Sequence, residues 1–237
     1  MTKHTIFEKK DLDEQEITIV IPCAGLGKRM KSYGPKPLIK IKNKTIFEHQ
    51  YKAIKEAFNK FKIISVCGFE ANKLMDALPS EVIKVENENY QNTNVSRSIG
   101  MGLRACVSSS VLILYGDLIF NKEALLSLDY NVSCISVSEG SYMDDDEVGC
   151  IVNNRGNLEN MMYDLPLKWN QLLYLKGNDL DRFKKIVWDK KNKKLFGFEA
   201  INKLINRGCR IKCIENPDAL VTDIDTSRDL EKARKIL

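Results

Sequence analysis

With 237 residues, 43% of them hydrophobic and 29% charged, the chain has the size and apolar content of one α/β domain, or of one domain with an embellishment. Its net charge of +5, from 37 basic and 32 acidic residues spread along the chain, is too small an excess to argue for a nucleic-acid partner. Seven cysteines occur without a CxxC pair and mostly inside apolar runs, with only His4 and His49 to join them, so reduced core thiols are expected rather than a zinc or disulfide framework.

The opening stretch, MTKHTIFEKKDLDEQE, is charged and lacks the apolar region of a secretory signal. No apolar run approaches the ~20 residues of a membrane span. A cytoplasmic protein without membrane insertion is therefore expected. Residues 17–22 form a short, largely apolar run rich in β-branched side chains, as in a strand buried on both faces. Thr45 and Glu48 make a capping box, opening a helix with Ile46, Phe47, Tyr51, Ile54, Ala57 and Phe58 on one face. Strands are predicted over 63–67, 82–85, 111–115 and 134–137, and helices over 72–78, 95–106 and 124–128. This strict alternation predicts a three-layer α/β/α fold with a mostly parallel, Rossmann-like sheet. Beyond residue 137 the pattern loosens. An acidic loop covers 138–147, and a hairpin turns at Asn154-Arg155-Gly156 within 149–162. Short strands are expected at 172–175, 210–214 and 219–221, and helices at 180–187, 196–206 and from Thr226 to the C-terminus. One domain over 1–237 is expected, with a nucleotide half of about 1–137 and a substrate half of about 138–237.

The first strand runs into Cys23-Ala24-Gly25-Leu26-Gly27-Lys28-Arg29-Met30. Two glycines after a strand allow backbone amides to approach an anion closely, although a plain tight turn uses the same residues. A dinucleotide fingerprint needs glycine or alanine where Met30 stands and an acid ending the next strand; neither is present, nor is GxxxxGK[ST]. Instead Lys28, Arg29 and Lys36 set three cations around one loop, with Pro35 and Pro37 stiffening the backbone about Lys36. That arrangement suits a triphosphate carrying about four negative charges.

These residues resemble the N-terminal signature AAGxGxRM…PKPL of the nucleotidyltransferases of the nucleotide-diphosphosugar transferase fold, the MobA-like NTP transferases, with Cys23 in place of the usual alanine. Three further blocks agree in order: Asn89-Tyr90-Gln91-Asn92-Thr93-Asn94 with Ser96 and Ser98, Gly116-Asp117 at a strand end, and Thr222-Asp223-Ile224-Asp225-Thr226 near the C-terminus. Together they span residues 19–230, and phosphocholine-type cytidylyltransferases are the nearest match.

The resemblance implies attack of a small phosphorylated acceptor, such as phosphocholine or a sugar or polyol phosphate, on the α-phosphorus of an NTP, CTP being favoured. Asp117 and Asp225 are then the Mg²⁺ ligands, with Asp223 a weaker candidate. Arg29 and Lys36 stabilise charge on the phosphates, and Ala24, Gly25, Gly27 and Lys28 complete the nucleotide loop. Thr93, Asn94 and Ser98 are the candidates for reading the base, their amide and hydroxyl groups being able to pair with a pyrimidine edge. A helix start uses the same residues, as a turn uses Asp117 and a helix cap Asp225. For the acceptor, Tyr163 and Trp169 are the candidates, drawn from an interleaved set with Tyr142 and Tyr174 that could cage a trimethylammonium group, beside the acidic run Asp144-Asp145-Asp146-Glu147. A UTP- or dTTP-dependent sugar-1-phosphate nucleotidyltransferase is the first alternative. A glycosyltransferase using Asp223-Ile224-Asp225 as a DxD metal motif, or a nucleotide sensor without catalysis, comes next.

Overall fold

The computed structural model describes residues 15–26, 34–139 and 147–237. In chain order the first part runs β1 (Ile17–Cys23), a ribbon of β2 (Lys40–Ile41) and β3 (Lys44–Thr45), α1 (Ile46–Ala57), β4 (Phe61–Cys67), α2 (Ala71–Ala77), β5 (Ile83–Glu86), α3 (Val95–Arg104), β6 (Ser110–Leu114), β7 (Leu118–Phe120), α4 (Lys122–Leu126) and β8 (Cys134–Glu139). The second part contains β9 (Val148–Val152), β10 (Leu158–Tyr163), β11 (Leu167–Lys176), α5 (Gly177–Trp188), α6 (Gly197–Ile205), β12 (Lys212–Glu215), β13 (Val221–Asp223) and α7 (Ser227–Ile236).

All seven residues of β1 are buried, as its apolar run requires of a central strand. It pairs in parallel with β4 on one side and β6 on the other, and β4 continues in parallel to β5. Ile17, Ile19 and Ile21 face one core with Phe47, Ile54 and Leu74; Val20 faces the other with Ile99, Leu103 and Phe183. The predicted three-layer α/β/α fold follows, since each face of the sheet buries its own apolar layer. Each fully buried Ile, Val or Leu contributes about 1.5–3 kcal/mol. The capping box forms as predicted: Glu48 N–H donates to Thr45 Oγ1 at 3.1 Å and Thr45 N–H to Glu48 Oε2 at 2.6 Å. His49 is structural, its Nε2 donating to the Ile41 carbonyl at 2.8 Å. The seven cysteines are free thiols, six of them buried. Among the described residues no helix is long and apolar enough to cross a membrane.

Two departures from the predicted pattern shape the cavity described below. First, β11 is ten residues long, not the four at 172–175, and it enters antiparallel between β6 and β8. The sheet is therefore parallel from β5 to β6 and mixed beyond, in the order β10-β9-β11-β6-β1-β4-β5, with β8 pairing both β11 and β12. Second, β7 had no counterpart in the predicted elements. Its Leu118–Phe120 pairs antiparallel with β13, which lies at Val221–Asp223 and not at 219–221. Three-residue strands are too short for a hydrophobic period to reveal. This ribbon folds the C-terminal segment back onto the end of β6.

Candidate active site

The carboxyl ends of β1 and β6 open into a cavity of about 670 Å³, where an open α/β sheet places its ligands. Pro22 to Leu26 form one wall, with Lys36 and Pro37 beside them. Gly116 is needed there: a Cβ on it would lie 2.5 Å from Cys23 Sγ, so the ends of β1 and β6 meet only without a side chain.

Lys36 sits on a 3-10 turn, Lys36–Leu38, flanked by the prolines that the sequence reading picked out. Its Nζ lies 2.9 Å from Asp117 Oδ2 and also donates to Asp225 Oδ1. Burial alone would lower the ammonium's pKa, but the Asp117 and Asp225 carboxylates outweigh it and raise the value above the ordinary lysine range. The lysine therefore stays charged at neutral pH. Asp117 and Asp225 are brought together by the β7–β13 ribbon, where Asp223 is registered against Leu118 and Ile224 N–H donates to the Asp117 carbonyl at 2.9 Å. The helix-cap reading of Asp225 does not hold. Thr226 N–H and Oγ1 bond Asp229 Oδ2 at 2.7 and 2.8 Å, so Thr226 and Asp229 cap α7 while Asp225 turns to Lys36.

Gln50, fully buried on α1, holds the turn carrying Asp117. Its Nε2 donates to the Tyr115 carbonyl at 2.8 Å and the Leu118 carbonyl at 2.9 Å. Gln50→Leu leaves both acceptors without this donor and is expected to destabilise the protein by about 1–3 kcal/mol, measured as a lower urea midpoint with an unchanged slope. A midpoint equal to wild type would show that the turn holds without the amide.

At the α3 end, Tyr90, Gln91, Thr93, Asn94 and Ser98 line the cavity. Asn87, buried at the end of β5 and not anticipated from sequence, donates through Nδ2 to Thr93 Oγ1 and to Ser98 Oγ, both at 3.1 Å. Asn94 caps α3, accepting from Val95 N–H at 2.8 Å and donating to the Lys194 carbonyl at 3.4 Å. Thr93 and Ser98 are thus hydroxyls set by Asn87, whereas much of the Asn94 amide is engaged within the fold.

The opposite end is built by β11, β13 and the start of α6. Lys168 Nζ pairs with Glu147 and lies 3.6 Å from Asp223 Oδ1. Burial works to lower its pKa, and the Asp223 and Glu147 carboxylates raise it overall. Asp223 is pushed up by burial first and by Asp117 and Asp225 next, with Lys168 acting against both. Lys36 and Lys168 are the two cationic side chains lining the cavity among the described residues, one at each carboxylate group. Tyr163 lines this end with its ring 5.4 Å from Phe198, which stacks on Phe196 at 5.9 Å. Trp169 is a wall: 5% exposed, edge-on to Tyr115 at 5.7 Å. A Cβ on Gly197 would fall 1.8 Å from the Tyr115 hydroxyl, so glycine lets the Phe196–Phe198 stretch close over that ring. Tyr174 lies in the core, fully buried against Tyr130 at 4.8 Å, and is no part of the cavity. Gly27, Lys28, Arg29 and Met30 lie outside the described residues, as do Tyr142 and residues 144–146.

Two carboxylates far apart in sequence, Asp117 and Asp225, reach the rim of an open α/β sheet beside a fixed lysine, and the fold is that of the nucleotide-diphosphosugar transferases. Residues 19–132 match the model of the MobA-like NTP transferase domain. Over 104 residues, 44% of this chain, the sequence is 33% identical to the bifunctional protein GlmU of Solibacter usitatus, and the match spans 22% of that protein's length. Two solved structures cover nearly the whole chain. The inositol-1-phosphate CTP transferase of T. maritima superposes with a TM-score of 0.75 at 17% identity, over 94% of this chain and 97% of its own. The CTP:phosphocholine cytidylyltransferase of Streptococcus pneumoniae does so with a TM-score of 0.72 at 16% identity, over 94% and 99%. At these identities the two structures establish a shared fold.

Proposed function

We propose that the protein is a Mg²⁺-dependent nucleotidyltransferase that moves a nucleoside monophosphate from an NTP, CTP being favoured, to a small phosphorylated acceptor such as phosphocholine or a sugar or polyol phosphate, releasing pyrophosphate. One observation carries this reading: Lys36 is wedged between Asp117 and Asp225, while Asp117 Oδ1 is buried with no hydrogen-bond partner among the described residues. A buried carboxylate oxygen left unsatisfied is costly unless something binds it. An all-carboxylate donor set suits a hard cation that completes its shell with phosphate oxygens and water. Asp117 and Asp225 are the residues that would hold Mg²⁺, which when bound supplies charge neutralisation between the NTP and acceptor phosphates.

In the proposed reaction an acceptor phosphate oxygen forms a bond to the α-phosphorus as the bond from that phosphorus to the pyrophosphate oxygen breaks. A phosphate monoester is largely dianionic at neutral pH, its second pKa being near ~6, so no general base is required. No histidine lines the cavity among the described residues, in keeping with that chemistry. Lys36, with Arg29 in the proposed role, binds the triphosphate and stabilises charge on the leaving pyrophosphate. The loop of Ala24, Gly25, Gly27 and Lys28 cradles phosphate through its amides. Thr93, Asn94 and Ser98 face the base, and Lys168 takes the acceptor's phosphate at the far end, beside Tyr163 and Trp169. Residues 1–137 serve as the nucleotide half and 138–237 as the acceptor half of one domain, acting in the cytoplasm.

A second reading, glycosyl transfer from a nucleotide sugar, draws on Asp223 and Asp225 facing one cavity in a DxD spacing. The two are separated by incubating the protein with each of the four NTPs and a panel of phosphorylated acceptors and measuring released pyrophosphate. Mg²⁺-dependent release with at least one pair, and most with CTP, is expected. Transfer from a nucleotide sugar without any pyrophosphate from NTPs would replace this reading, and nucleotide binding without turnover would leave a sensor.

A further inference from the structure

Between the pairs Trp169↔Val137 and Leu173↔Ile135, β11 advances four residues while β8 advances two. Asn170 and Gln171 are the extra residues, and they diverge. Asn170 is buried, its Nδ2 donating to Ser136 Oγ at 3.0 Å and its Oδ1 accepting from Ser138 Oγ at 3.0 Å. Gln171 takes φ 58°, a left-handed conformation rare for glutamine. Its side chain lines the cavity, with Nε2 donating to Asp223 Oδ2 at 3.3 Å. Bulges next to active sites re-aim side chains, and strained non-glycine backbone persists where the side chain is needed. Glycine would relieve the strain here and leave the ladder unchanged, so the glutamine side chain is what the bulge is built to deliver.

We infer that Gln171 determines acceptor specificity, hydrogen-bonding a hydroxyl on the non-phosphate part of the acceptor. This rests on the nucleotidyltransferase reading above. With Nε2 given to Asp223, the amide oxygen is oriented to accept a hydroxyl proton. The carboxylates at this end, Glu147 and Asp223, are both paired with Lys168. The two carboxylates share that one ammonium, and Asp223 is bonded by Gln171 as well, so the amide oxygen of Gln171 is what selects here, favouring an acceptor that carries a hydroxyl over one that offers only a quaternary ammonium.

The test compares wild type with Gln171→Leu and Gln171→Gly in steady-state pyrophosphate release, using CTP with a polyol phosphate, a sugar phosphate and phosphocholine. Both variants should raise KM for the hydroxylated acceptor on the order of 10-fold or more, with KM for CTP unchanged. Gln171→Gly should at the same time melt above wild type, since it relaxes the left-handed backbone. A purely structural glutamine predicts the opposite: Gln171→Gly would then keep wild-type acceptor KM, and that result overturns the inference while leaving the transferase reading intact. Faster turnover of phosphocholine than of either hydroxylated acceptor in wild type also overturns it. Wild type releasing no pyrophosphate with any NTP and acceptor overturns both.

Discussion

Lys36→Met is expected to lower the rate of pyrophosphate release by a factor on the order of 10³, with the protein still folded. The side chain is held half-buried by a 3-10 turn between two prolines and touches both Asp117 and Asp225. A charge so fixed needs little reorganisation when negative charge builds on the α-phosphate, which is where preorganised cations gain most over water. Methionine keeps most of the stem's apolar volume and removes only the ammonium. The expected structural consequence is separate from the kinetic one. Without Lys36, Asp117 and Asp225 lose the ammonium that both of them contact, so the variant should melt below wild type in chelator. It should recover more of its melting temperature on adding Mg²⁺ than wild type does, because a bound cation now replaces the lost one. The measurements are initial rates at saturating CTP and thermal melts with and without Mg²⁺. Turnover within tenfold of wild type would remove Lys36 from the chemistry.

What the sequence disclosed and what it withheld divide along a physical line. Local signals were legible: the capping box at Thr45 and Glu48, the buried run of β1, and α3 opening at Asn94 all depend on neighbours within a few residues. Asp117 and Asp225 were legible as members of family-like blocks, but the reason they meet was not. That reason is a ribbon of two three-residue strands about a hundred positions apart, with too little periodicity to register. The β11 segment was misread for a related cause. Lys168 and Gln171 face the cavity and Asn170 turns inward at a bulge, so a central strand carries a polar run that mimics a loop. Gln50 and Asn87 resemble ordinary surface amides in sequence. Only the fold shows that each is buried and spends its donors on the loops that hold Asp117 and the Thr93–Ser98 hydroxyls. The polar residues that depart from local pattern are the ones gathered at the cavity, as expected where function overrides consistency.

Asp117→Asn and Asp225→Asn are each expected to abolish Mg²⁺-dependent turnover, by a factor on the order of 10³ or more, while metal-free stability holds or rises. The sign of the second effect follows from the cluster. Among the described residues lining the cavity, Asp117, Asp223, Asp225 and Glu147 supply four negative charges and Lys36 and Lys168 two positive ones. Burial first, and then the like charges of Asp117 and Asp225, push up the pKa of Asp223 against the pull of Lys168, so the two carboxylates do repel it. Replacing either by a neutral amide relieves that repulsion, so the melting temperature in chelator should equal or exceed that of wild type. The stabilisation that Mg²⁺ gives wild type, which grows as the logarithm of its concentration over Kd, should vanish in both variants. The double variant should be no slower than the worse single one, since two ligands of one cation act as a unit. Magnesium titrations of the melting temperature, run beside pyrophosphate release, give both readouts from the same preparations. Retention of the Mg²⁺-induced shift with wild-type turnover in both single variants would refute the assignment of these two carboxylates, and a loss confined to Asp225→Asn would leave the unpartnered Asp117 oxygen without an explanation.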